Sequence, residues 1–348
     1  MEAYHVIANG CRRIFAQSIV TLNGARAMGT KLPLRLACWD YDRTRSLIDG
    51  RVQPEDIDLQ VSVMRPREAF TCMLEREEFD VAEVSLANYT QLKAKGDMRF
   101  VGIPVALSRM FRHSCIYVRA GVGVAKPEDL IGRRIGAAQL DSTGLVFIKG
   151  MLWHDYGVRP DRVRWVTGGL EVPAKAKMPP AGHGAVETLG DGETLVSAFK
   201  AGKLDAIISN HIPSPFLAGD PQMLRLFADF KTAERDYFQR TGLFPIMHIV
   251  AMRADMHAAH PDIATKLFAA FCAARDRGIA DLYDTDALRV AVPWLIDAID
   301  ESRRVLGKDY WSYGAEQNRK VWDTLATFLV EQQLAARRPS LDEMFITG

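Results

Sequence analysis

The chain has 348 residues, 48% of them hydrophobic and 25% charged, a composition typical of a globular protein with room for a large core and two lobes. Its 44 basic and 43 acidic residues give a net charge of +1, so it lacks the basic field that would hold nucleic acid or an anionic membrane without specificity. No apolar run approaches the length of a transmembrane helix. We therefore expect a small-molecule partner, and neither nucleic acid nor a membrane.

Cysteine usage favours a cytoplasmic location. The five cysteines are scattered, odd in number and without metal-site spacing, and Cys38, Cys115 and Cys272 lie inside apolar runs typical of buried thiols. Residues 1–30 are only superficially like a signal peptide, because polar residues interrupt their apolar centre. We expect residues 1–30 to form a poorly ordered extension and the globular fold to begin near Lys31.

From Leu34 onward, apolar strand-like runs alternate with stretches of helical periodicity. The first predicted strands are Leu34–Cys38, Ile57–Val63, Phe79–Val84, Phe100–Val105 and Ile116–Arg119, and the predicted helices between them are Arg45–Asp49, Arg67–Glu77 and Leu86–Lys95. This alternation is typical of a mostly parallel sheet covered by helices on both faces.

A second series of elements follows. It contains predicted strands Gly132–Ala138, Val163–Val166, Leu204–Ile208 and Ile246–Met252, helices Ser142–Tyr156 and Thr194–Ala201, a long loop Leu170–Asp191, and three long helices Pro261–Tyr283, Val290–Leu306 and Gln317–Arg337. The order predicts one lobe built from residues 31–115 and 241–348, with residues 116–240 inserted as a second lobe. A ligand would bind in the cleft between them, where strand ends converge. The C-terminal helices could cover the first lobe or support a homo-oligomer.

The run Trp39–Arg43 is the densest cluster of polar and aromatic residues at a predicted strand end. It directly follows Leu34–Cys38, and ligands of open α/β sheets bind just outside the carboxyl ends of the strands. The alternative interpretation is a solvated loop in which Asp42 or Thr44 caps the next helix.

Further polar residues lie at or near the ends of other predicted strands. They are Glu83 and Ser85, then Arg109, Arg112 and His113, then Thr143 at a helix start, and finally Asn210, His211 and His248. Arginine binds carboxylates through two parallel hydrogen bonds, and histidine transfers protons near neutral pH. The alternatives are that the arginines pair with Asp40, Asp42 or Glu83, and that a histidine in an apolar run is only a packed residue.

Motifs for several other chemistries are absent from the sequence. It has no His-Glu-x-x-His, no Cys-x-x-Cys, no Gly-x-Ser-x-Gly and no phosphate-binding glycine loop. A composite site for a divalent metal from Asp40, Asp42, Glu83 and His113 is conceivable, but nothing in the spacing demands it. We expect no cofactor, with a divalent metal as the alternative.

Six ordered motifs together resemble the 4,5-dihydroxyphthalate decarboxylases. They are Leu34–Thr44, Phe79–Leu86, Ser108–Ser114, Trp165–Gly169, Thr241–His248, and Tyr313-Gly314 with Asn318. The resemblance covers roughly residues 32–346. It implies an α/β two-lobe fold like that of type II periplasmic binding proteins, with the ligand cleft between the lobes and extra C-terminal helices.

The resemblance also implies a reaction. A dihydroxylated aromatic diacid would lose one carboxylate as CO2 and become a catechol monoacid, without a cofactor, after a general acid protonates the ring. A solute-binding protein for an aromatic carboxylate is the alternative from another class, and a metal-assisted decarboxylase or hydrolase is a weaker third.

The resemblance suggests a role for each candidate residue. His113 or His248 would be the acid, Asp40 or Asp42 would hold or deprotonate a hydroxyl, and Arg109 and Arg112 would bind carboxylate. The other predicted substrate-binding residues are Trp39, Arg43, Glu83, Ser85, Thr143, Asn210 and His211.

Overall fold

The structure is a computed structural model that describes residues 31–174 and 186–346. The expectation for residues 1–30 lies outside these described residues. The strands are β1 Leu32–Cys38, β2 Ile57–Val63, β3 Val81–Ser85, β4 Phe100–Arg109, β5 Ile116–Arg119, β6 Arg134–Ala137, β7 Arg164–Thr167, β8 Val186–Thr188, β9 Ala206–Ile208, β10 Met223–Arg225 and β11 Ile246–Arg253.

Twelve described α-helices connect and cover these strands. They are α1 Asp42–Ile48, α2 Pro66–Leu74, α3 Leu86–Ala94, α4 Thr143–Tyr156, α5 Leu195–Lys200, α6 Ser214–Leu217, α7 Phe230–Thr241, α8 Ala254–Ala259, α9 Ile263–Asp281, α10 Leu295–Leu306, α11 Arg319–Glu331 and α12 Leu341–Met344. Short 3-10 turns include His113–Cys115 and Glu316–Asn318. Within residues 31–174 and 186–346, no helix is both long and apolar enough to cross a bilayer.

The strands form two separate mixed sheets. The first has the order β2-β1-β3-β11-β4 and the second has the order β10-β5-β9-β6-β7-β8. In the first, β1 runs parallel to β2 and β3, whereas β11 runs antiparallel to β3 and β4. In the second, β5 is antiparallel to both β9 and β10.

Within each sheet all strands but one therefore run in the same direction, as the prediction of a mostly parallel arrangement requires. The reversed strands, β5 and β11, lie at the two crossovers between the sheets. After leaving the first sheet the chain starts the second with a reversed strand, β5, and on its return it enters the first sheet through β11, between β3 and β4 and against their direction.

Local signals explain the elements that carry the candidate site. All five side chains of β3 are buried, and β3 leads directly into α3, whose N-cap Ser85 accepts a hydrogen bond from the Asn88 N–H. Helix α4 begins in the same way at Ser142 and ends at Gly157, which adopts the left-handed conformation that glycine favours. A buried core of Val, Leu, Ile and Ala side chains continues from the first sheet into the second.

Two C-terminal helices fix the positions of elements near the first sheet. Helix α9 packs against the start of α1, because a Cβ at Gly278 would lie 2.5 Å from the Asp42 carbonyl oxygen. Helix α11 packs against α4, and just after α11 the Gln332 side chain donates a 2.9 Å hydrogen bond to the Val146 carbonyl within α4. These contacts hold the start of α1 and the whole of α4 beside the carboxyl ends of β1 and β3.

Candidate active site

Glu83 is a fully buried carboxylate at the centre of β3, with 0% of its surface exposed. Its Oε2 accepts a 3.0 Å hydrogen bond from the Trp39 N–H. Its Oε1 lies 2.7 Å from both the Tyr41 hydroxyl and Nδ1 of His248. Burial raises the pKa of Glu83, but the hydrogen bonds from these three donors outweigh it and leave that pKa below its usual value. Glu83 is thus an ionised acceptor inside the core.

His248 contacts Glu83 through Nδ1, which leaves its second ring nitrogen, Nε2, without a contact to that carboxylate. His248 lies on β11 opposite Ser85 of β3, and its side chain keeps 21% of its surface exposed. Because Glu83 is ionised, Nδ1 carries a proton and Nε2 remains for a ligand. The edge of the Phe70 ring packs against the imidazole with centroids 4.9 Å apart. Carboxylate and aromatic ring together fix the orientation of the imidazole.

The run Trp39–Arg43 meets Glu83 at this sheet edge and also starts α1. The Trp39 N–H and the Tyr41 hydroxyl both donate to Glu83, as described above. Thr44 accepts from the Tyr41 N–H at 2.9 Å and donates to the Trp39 carbonyl at 2.8 Å. Thr44 is therefore a buried residue in the first turn of α1 that closes a capping box with the N-cap Tyr41, and it does not precede the helix as the loop interpretation expected. The same run supplies two of the three donors to Glu83.

The two predicted aspartates have arginine partners. Asp40 pairs through Oδ2 with Arg45, whereas its Oδ1 is buried and accepts no hydrogen bond from the residues described. Asp42 accepts from the backbone and side-chain N–H groups of Arg43. Asp40 therefore keeps one free acceptor atom next to the Trp39–Arg43 backbone.

Arg43 is clamped between two aromatic rings. Its guanidinium carbon lies 4.0 Å from the Tyr41 ring centroid and 4.4 Å from that of Trp311. Its Nε donates a short hydrogen bond to the Leu107 carbonyl of β4, and Trp311 donates to the neighbouring Ala106 carbonyl at 2.9 Å. The clamp joins the start of α1 to β4 and to the C-terminal segment.

The N-terminus of α4, which follows β6 of the second sheet, lies against the end of β3. Thr143 is buried, its hydroxyl lies 3.0 Å from that of Ser85, and it accepts from the Ala87 N–H at 3.0 Å. A Cβ on Gly144 would lie 2.2 Å from Oδ1 of Asn210 and 3.3 Å from Nε of Arg112. The structure thus brings together Ser85, Thr143, Asn210 and Arg112, which come from four separate parts of the sequence.

Arg112 is a half-buried cation whose polar contacts are sulfur atoms. Its Nε lies 3.3 Å from the Met247 thioether and its Nη1 lies 3.8 Å from the Cys115 thiol. Among the described residues its guanidinium has no carboxylate partner within ion-pair distance, and it lies beside the N-terminus of α4, where the first N–H groups of a helix lack intrahelical partners. This combination can bind an anion.

Arg109 has a different environment, although it too was predicted to bind a carboxylate. It is buried, and it donates to the carbonyl oxygens of Phe244 and Ser312 at 3.1 and 2.6 Å and to the Asn318 side chain. Burial lowers the pKa of Arg109 to about 10. Its Nη atoms thus bind protein acceptors that link β4 to the C-terminal segment.

His113 lies apart from the Glu83–His248 pair. It is 1% exposed and packs edge-on against Phe227 and Tyr237, with ring centroids 5.1 and 5.3 Å away. Its Nδ1 lies 3.9 Å from Glu234 of α7, and burial lowers its pKa to about 4. The structure therefore separates the two histidines that were candidates for the acid. His211 and Asn210 are both exposed at the end of β9.

The described residues contain no group of three or more His, Cys, Asp or Glu side chains arranged to hold a metal ion. The composite set considered from the sequence is not assembled: Glu83 bonds to His248, Asp40 and Asp42 pair with arginines, and His113 packs under α7.

Sequence comparison places these residues in a family context. Two curated proteins are similar to this chain, and both are named 4,5-dihydroxyphthalate decarboxylase. The one from Comamonas testosteroni is 35% identical over 320 residues, covering 91% of this chain and 97% of the relative. The chain belongs to the 4,5-dihydroxyphthalate decarboxylase family.

The second relative, from Pseudomonas putida, is 34% identical over 214 residues, which is 60% of this chain and 82% of that protein. No family model matches the sequence. The predicted resemblance to these decarboxylases is confirmed, and the family is one of carboxy-lyases.

Solved structures confirm the predicted two-lobe, periplasmic-binding-protein-like fold of this decarboxylase family member. The periplasmic aliphatic sulphonate binding protein SsuA from Escherichia coli aligns with a TM-score of 0.51 at 13% identity, covering 90% of this chain and 92% of that one. The periplasmic sulfonate-binding protein SsuA from Methylobacillus flagellatus aligns with a TM-score of 0.54 at 14% identity, covering 91% and 92%. At such identities the likeness shows the fold alone.

Three residues of this site escaped the sequence analysis. Tyr41 lies within the run singled out there, and its hydroxyl could have been noticed as a donor. Trp311 and Gly144 gave no local signal, since their roles depend on contacts with Arg43 and Asn210, which are distant in sequence.

A cavity of about 800 Å³ lies elsewhere, between α4, α7 and α11, and is lined by residues such as Met151, Tyr237, Lys320 and Phe328. It includes none of the predicted site residues. Two of the charged groups on its walls have partners: His154 lies 2.7 Å from Glu331, and Asp155 lies 2.8 Å from Arg240.

Proposed function

We propose that this chain removes one carboxylate from 4,5-dihydroxyphthalate, giving 3,4-dihydroxybenzoate and CO2, and that His248 protonates the ring. Both curated relatives carry the name of this activity. The observation that carries the mechanistic part is the 2.7 Å contact between His248 Nδ1 and the buried Glu83, which leaves Nε2 of a partly exposed imidazole to act on a ligand.

The chemistry of the substrate explains why a proton donor is needed. One hydroxyl lies para to the departing carboxylate and pushes electron density onto the carbon that bears it. In its imidazolium form, with Nδ1–H bound to Glu83, His248 gives the proton on Nε2 to that carbon and becomes a neutral imidazole. The bond to the carboxylate breaks as CO2 leaves, and the bonding electrons return to the ring and restore aromaticity. Water then returns a proton to His248. Atoms and charges balance without a cofactor.

Arg112 and the N-terminus of α4 are the proposed site for the retained carboxylate. Arg112 has sulfur contacts and no ion pair among the described residues, so a substrate carboxylate would supply its missing counter-charge. Asn210 and the N–H groups at Gly144 lie beside it. Ser85 and Thr143, which touch each other at 3.0 Å, would orient the ring between this site and His248.

Asp40 is the proposed acceptor for a substrate hydroxyl. Its Oδ1 is buried and accepts no hydrogen bond within the described part of the chain, while Arg45 holds its other oxygen. A buried acceptor without a donor is costly, and a phenolic hydroxyl would satisfy it.

A solute-binding protein for an aromatic carboxylate is the second candidate, because both SsuA proteins share this fold. Binding alone would need Arg112 and the α4 N-terminus. It would give no reason for a buried carboxylate that fixes the tautomer of a partly exposed histidine, and this pair favours catalysis.

The deciding experiment incubates the purified chain with 4,5-dihydroxyphthalate and measures CO2 and 3,4-dihydroxybenzoate, with and without a chelator. We expect stoichiometric release of both, unaffected by chelation. Binding without turnover would replace the proposal with the solute-binding function. Loss of product on chelation, restored by a divalent ion, would contradict the cofactor-free mechanism.

Two histidine variants locate the acid. His248→Gln keeps a hydrogen bond to Glu83 but offers no transferable proton, so kcat should fall by about 100-fold or more. His154→Gln is the matched control, because His154 is exposed and pairs with Glu331 on the other side of α4. Near-normal turnover by His248→Gln would show that His248 is not the acid.

A further inference from the structure

The Tyr41 hydroxyl and His248 Nδ1 share a single atom, Oε1 of Glu83, and each lies 2.7 Å from it. The other carboxylate oxygen is occupied by the Trp39 N–H at 3.0 Å. Because Glu83 is fully buried, water does not compete for either oxygen. The hydrogen bond that Oε1 accepts from Tyr41 therefore reduces the electron density that Oε1 can offer to His248.

Both partners of Glu83 keep fixed donor roles. Burial and the neighbouring negative charge of Glu83 raise the pKa of Tyr41 above its ordinary value, so its hydroxyl keeps its proton. Glu83 itself stays ionised for the reason given above. Tyr41 thus donates to Oε1 whether or not His248 is protonated.

Tyr41 is held in position by the start of α1 and by Arg43. It caps the start of α1, its ring lies 4.0 Å from the Arg43 guanidinium, and Arg43 is in turn held by Trp311. The cation over the ring makes the phenol a stronger donor, because it draws electron density from the oxygen. The C-terminal segment that carries Trp311 therefore contributes to the geometry of the Glu83 hydrogen bonds.

We propose that Tyr41 is a positioning residue which competes with His248 for Glu83 Oε1 and so sets the pH at which His248 releases its proton. The proposal rests on the function proposed for His248. With Tyr41 present, Glu83 stabilises the imidazolium less, and His248 is a stronger acid towards the substrate. Without the hydroxyl, Glu83 holds the imidazolium more tightly and the proton is harder to transfer.

Within residues 31–174 and 186–346, the charged and titratable groups that face this arrangement are on β1, on α1 and between them. Cys38 of β1 and Asp40 lie near Glu83, and burial raises the pKa of the Cys38 thiol, which stays neutral. Arg43 of α1 faces Tyr41. Helix α2 contributes the Phe70 ring, and the neighbouring strands β3 and β4 place Ser85 and Ser108 opposite His248.

The test compares the pH dependence of kcat/KM for the unmodified chain, Tyr41→Phe and Tyr156→Phe. Tyr156 is a half-buried tyrosine at the end of α4, with its ring tilted against that of Phe227 at a centroid distance of 5.6 Å, and it serves as the matched control. In Tyr41→Phe we expect the alkaline limb of the profile to move up by about half to one pH unit, with a several-fold lower kcat. Tyr156→Phe should keep the original profile.

A second readout does not depend on turnover. The ring nitrogens of His248 are titrated by nitrogen-15 NMR in the free protein, and the Tyr41→Phe midpoint should move upward together with the activity profile. An unchanged midpoint would overturn the role of Tyr41, even if the activity falls. If the unmodified chain shows no turnover while the midpoint still moves, the decarboxylase proposal fails and the role of Tyr41 at Glu83 stands.

Discussion

Nδ1 of His248 lies 2.7 Å from Oε1 of Glu83, and this contact joins β11 to β3 through two residues that are 165 positions apart in sequence. The carboxylate is fully buried whereas the imidazole is partly exposed, so the pair has one end in the core and one end accessible from outside it. The pair exists because β11 enters the first sheet beside β3 in the antiparallel direction.

Replacing Glu83 tests this pair. Glu83→Gln keeps the size of the side chain and can still accept from Trp39 and Tyr41, but it removes the charge that stabilises an imidazolium. We expect kcat to fall by about 100-fold with a much smaller change in KM. Glu78→Gln, at an exposed glutamate, is the control. A folded Glu83→Gln variant with nearly unchanged kcat would show that the charge does not matter.

Arg112 and Arg109 should respond differently to the same substitution. Arg112→Met removes a cation without an acidic partner among the described residues, so we expect KM to rise by about 10- to 100-fold, the equivalent of a charge-assisted hydrogen bond. Arg109→Met leaves the Phe244 carbonyl without a donor and takes one of two donors from both the Ser312 carbonyl and the Asn318 side chain, and we expect the free energy of unfolding to fall by about 1–3 kcal/mol.

Steady-state kinetics and urea unfolding of both arginine variants separate these effects. The reverse pattern, in which Arg112→Met unfolds early and Arg109→Met changes only KM, would mean that Arg109 is the carboxylate-binding residue.

Gly144→Ala tests the contact between the two sheets. Its Cβ would lie 2.2 Å from Oδ1 of Asn210, so Asn210 or the α4 N-terminus must move, and we expect a several-fold rise in KM. Adding Asn210→Ala removes the obstructing atom. The double variant should therefore bind substrate better than the sum of the single effects predicts. Strict additivity would show that the two positions do not meet.

The His113–Glu234 contact predicts a specific dependence of stability on pH. Burial lowers the pKa of His113 from 6.5 to about 4, so its contribution to stability is lost as pH falls through that range. Burial raises the pKa of Glu234 from 4.5 to about 7, so its contribution grows as pH falls through that range. The two slopes oppose each other between pH 6.5 and 4.5.

Glu234→Gln removes one of these slopes. We expect the variant, compared with the unmodified chain, to lose about 2–3 kcal/mol in the free energy of unfolding between pH 6.5 and 4.5. Urea unfolding at several pH values measures the difference. Parallel curves for the two proteins would mean that Glu234 titrates normally in the folded state.

Much of the first sheet could be predicted from sequence periodicity. In that sheet β2 has the predicted bounds and the strand preceding Trp39 ends at Cys38 as expected, and in the second sheet β5 has the predicted bounds. The position of Glu83 next to Trp39 follows from the pairing of β1 with β3, because both strands end at the same edge.

The sequence did not distinguish His113 from His248, since both lie near the ends of predicted strands. The predicted strand Phe100–Val105 continues to Arg109, and the chain then turns so that His113 packs under α7, a helix that the sequence analysis did not predict. Strand β8 lies within the predicted loop Leu170–Asp191, and the last predicted helix, Gln317–Arg337, is shortened to Arg319–Glu331. Helix α7 carries only one buried side chain, Tyr237, so its polar sequence gave a weak apolar pattern.

The most direct test of the central claim is the decarboxylation of 4,5-dihydroxyphthalate in D2O, followed by proton NMR and mass spectrometry of the product. The exchangeable proton on His248 Nε2 becomes a deuteron, so the 3,4-dihydroxybenzoate should carry one deuterium, at the ring carbon that lost the carboxylate, and His248→Gln should form it at least about 100-fold more slowly. Recovery of unchanged substrate from a chain that binds it, or equal rates for the two proteins, would contradict the claim that His248 protonates the ring in a decarboxylation.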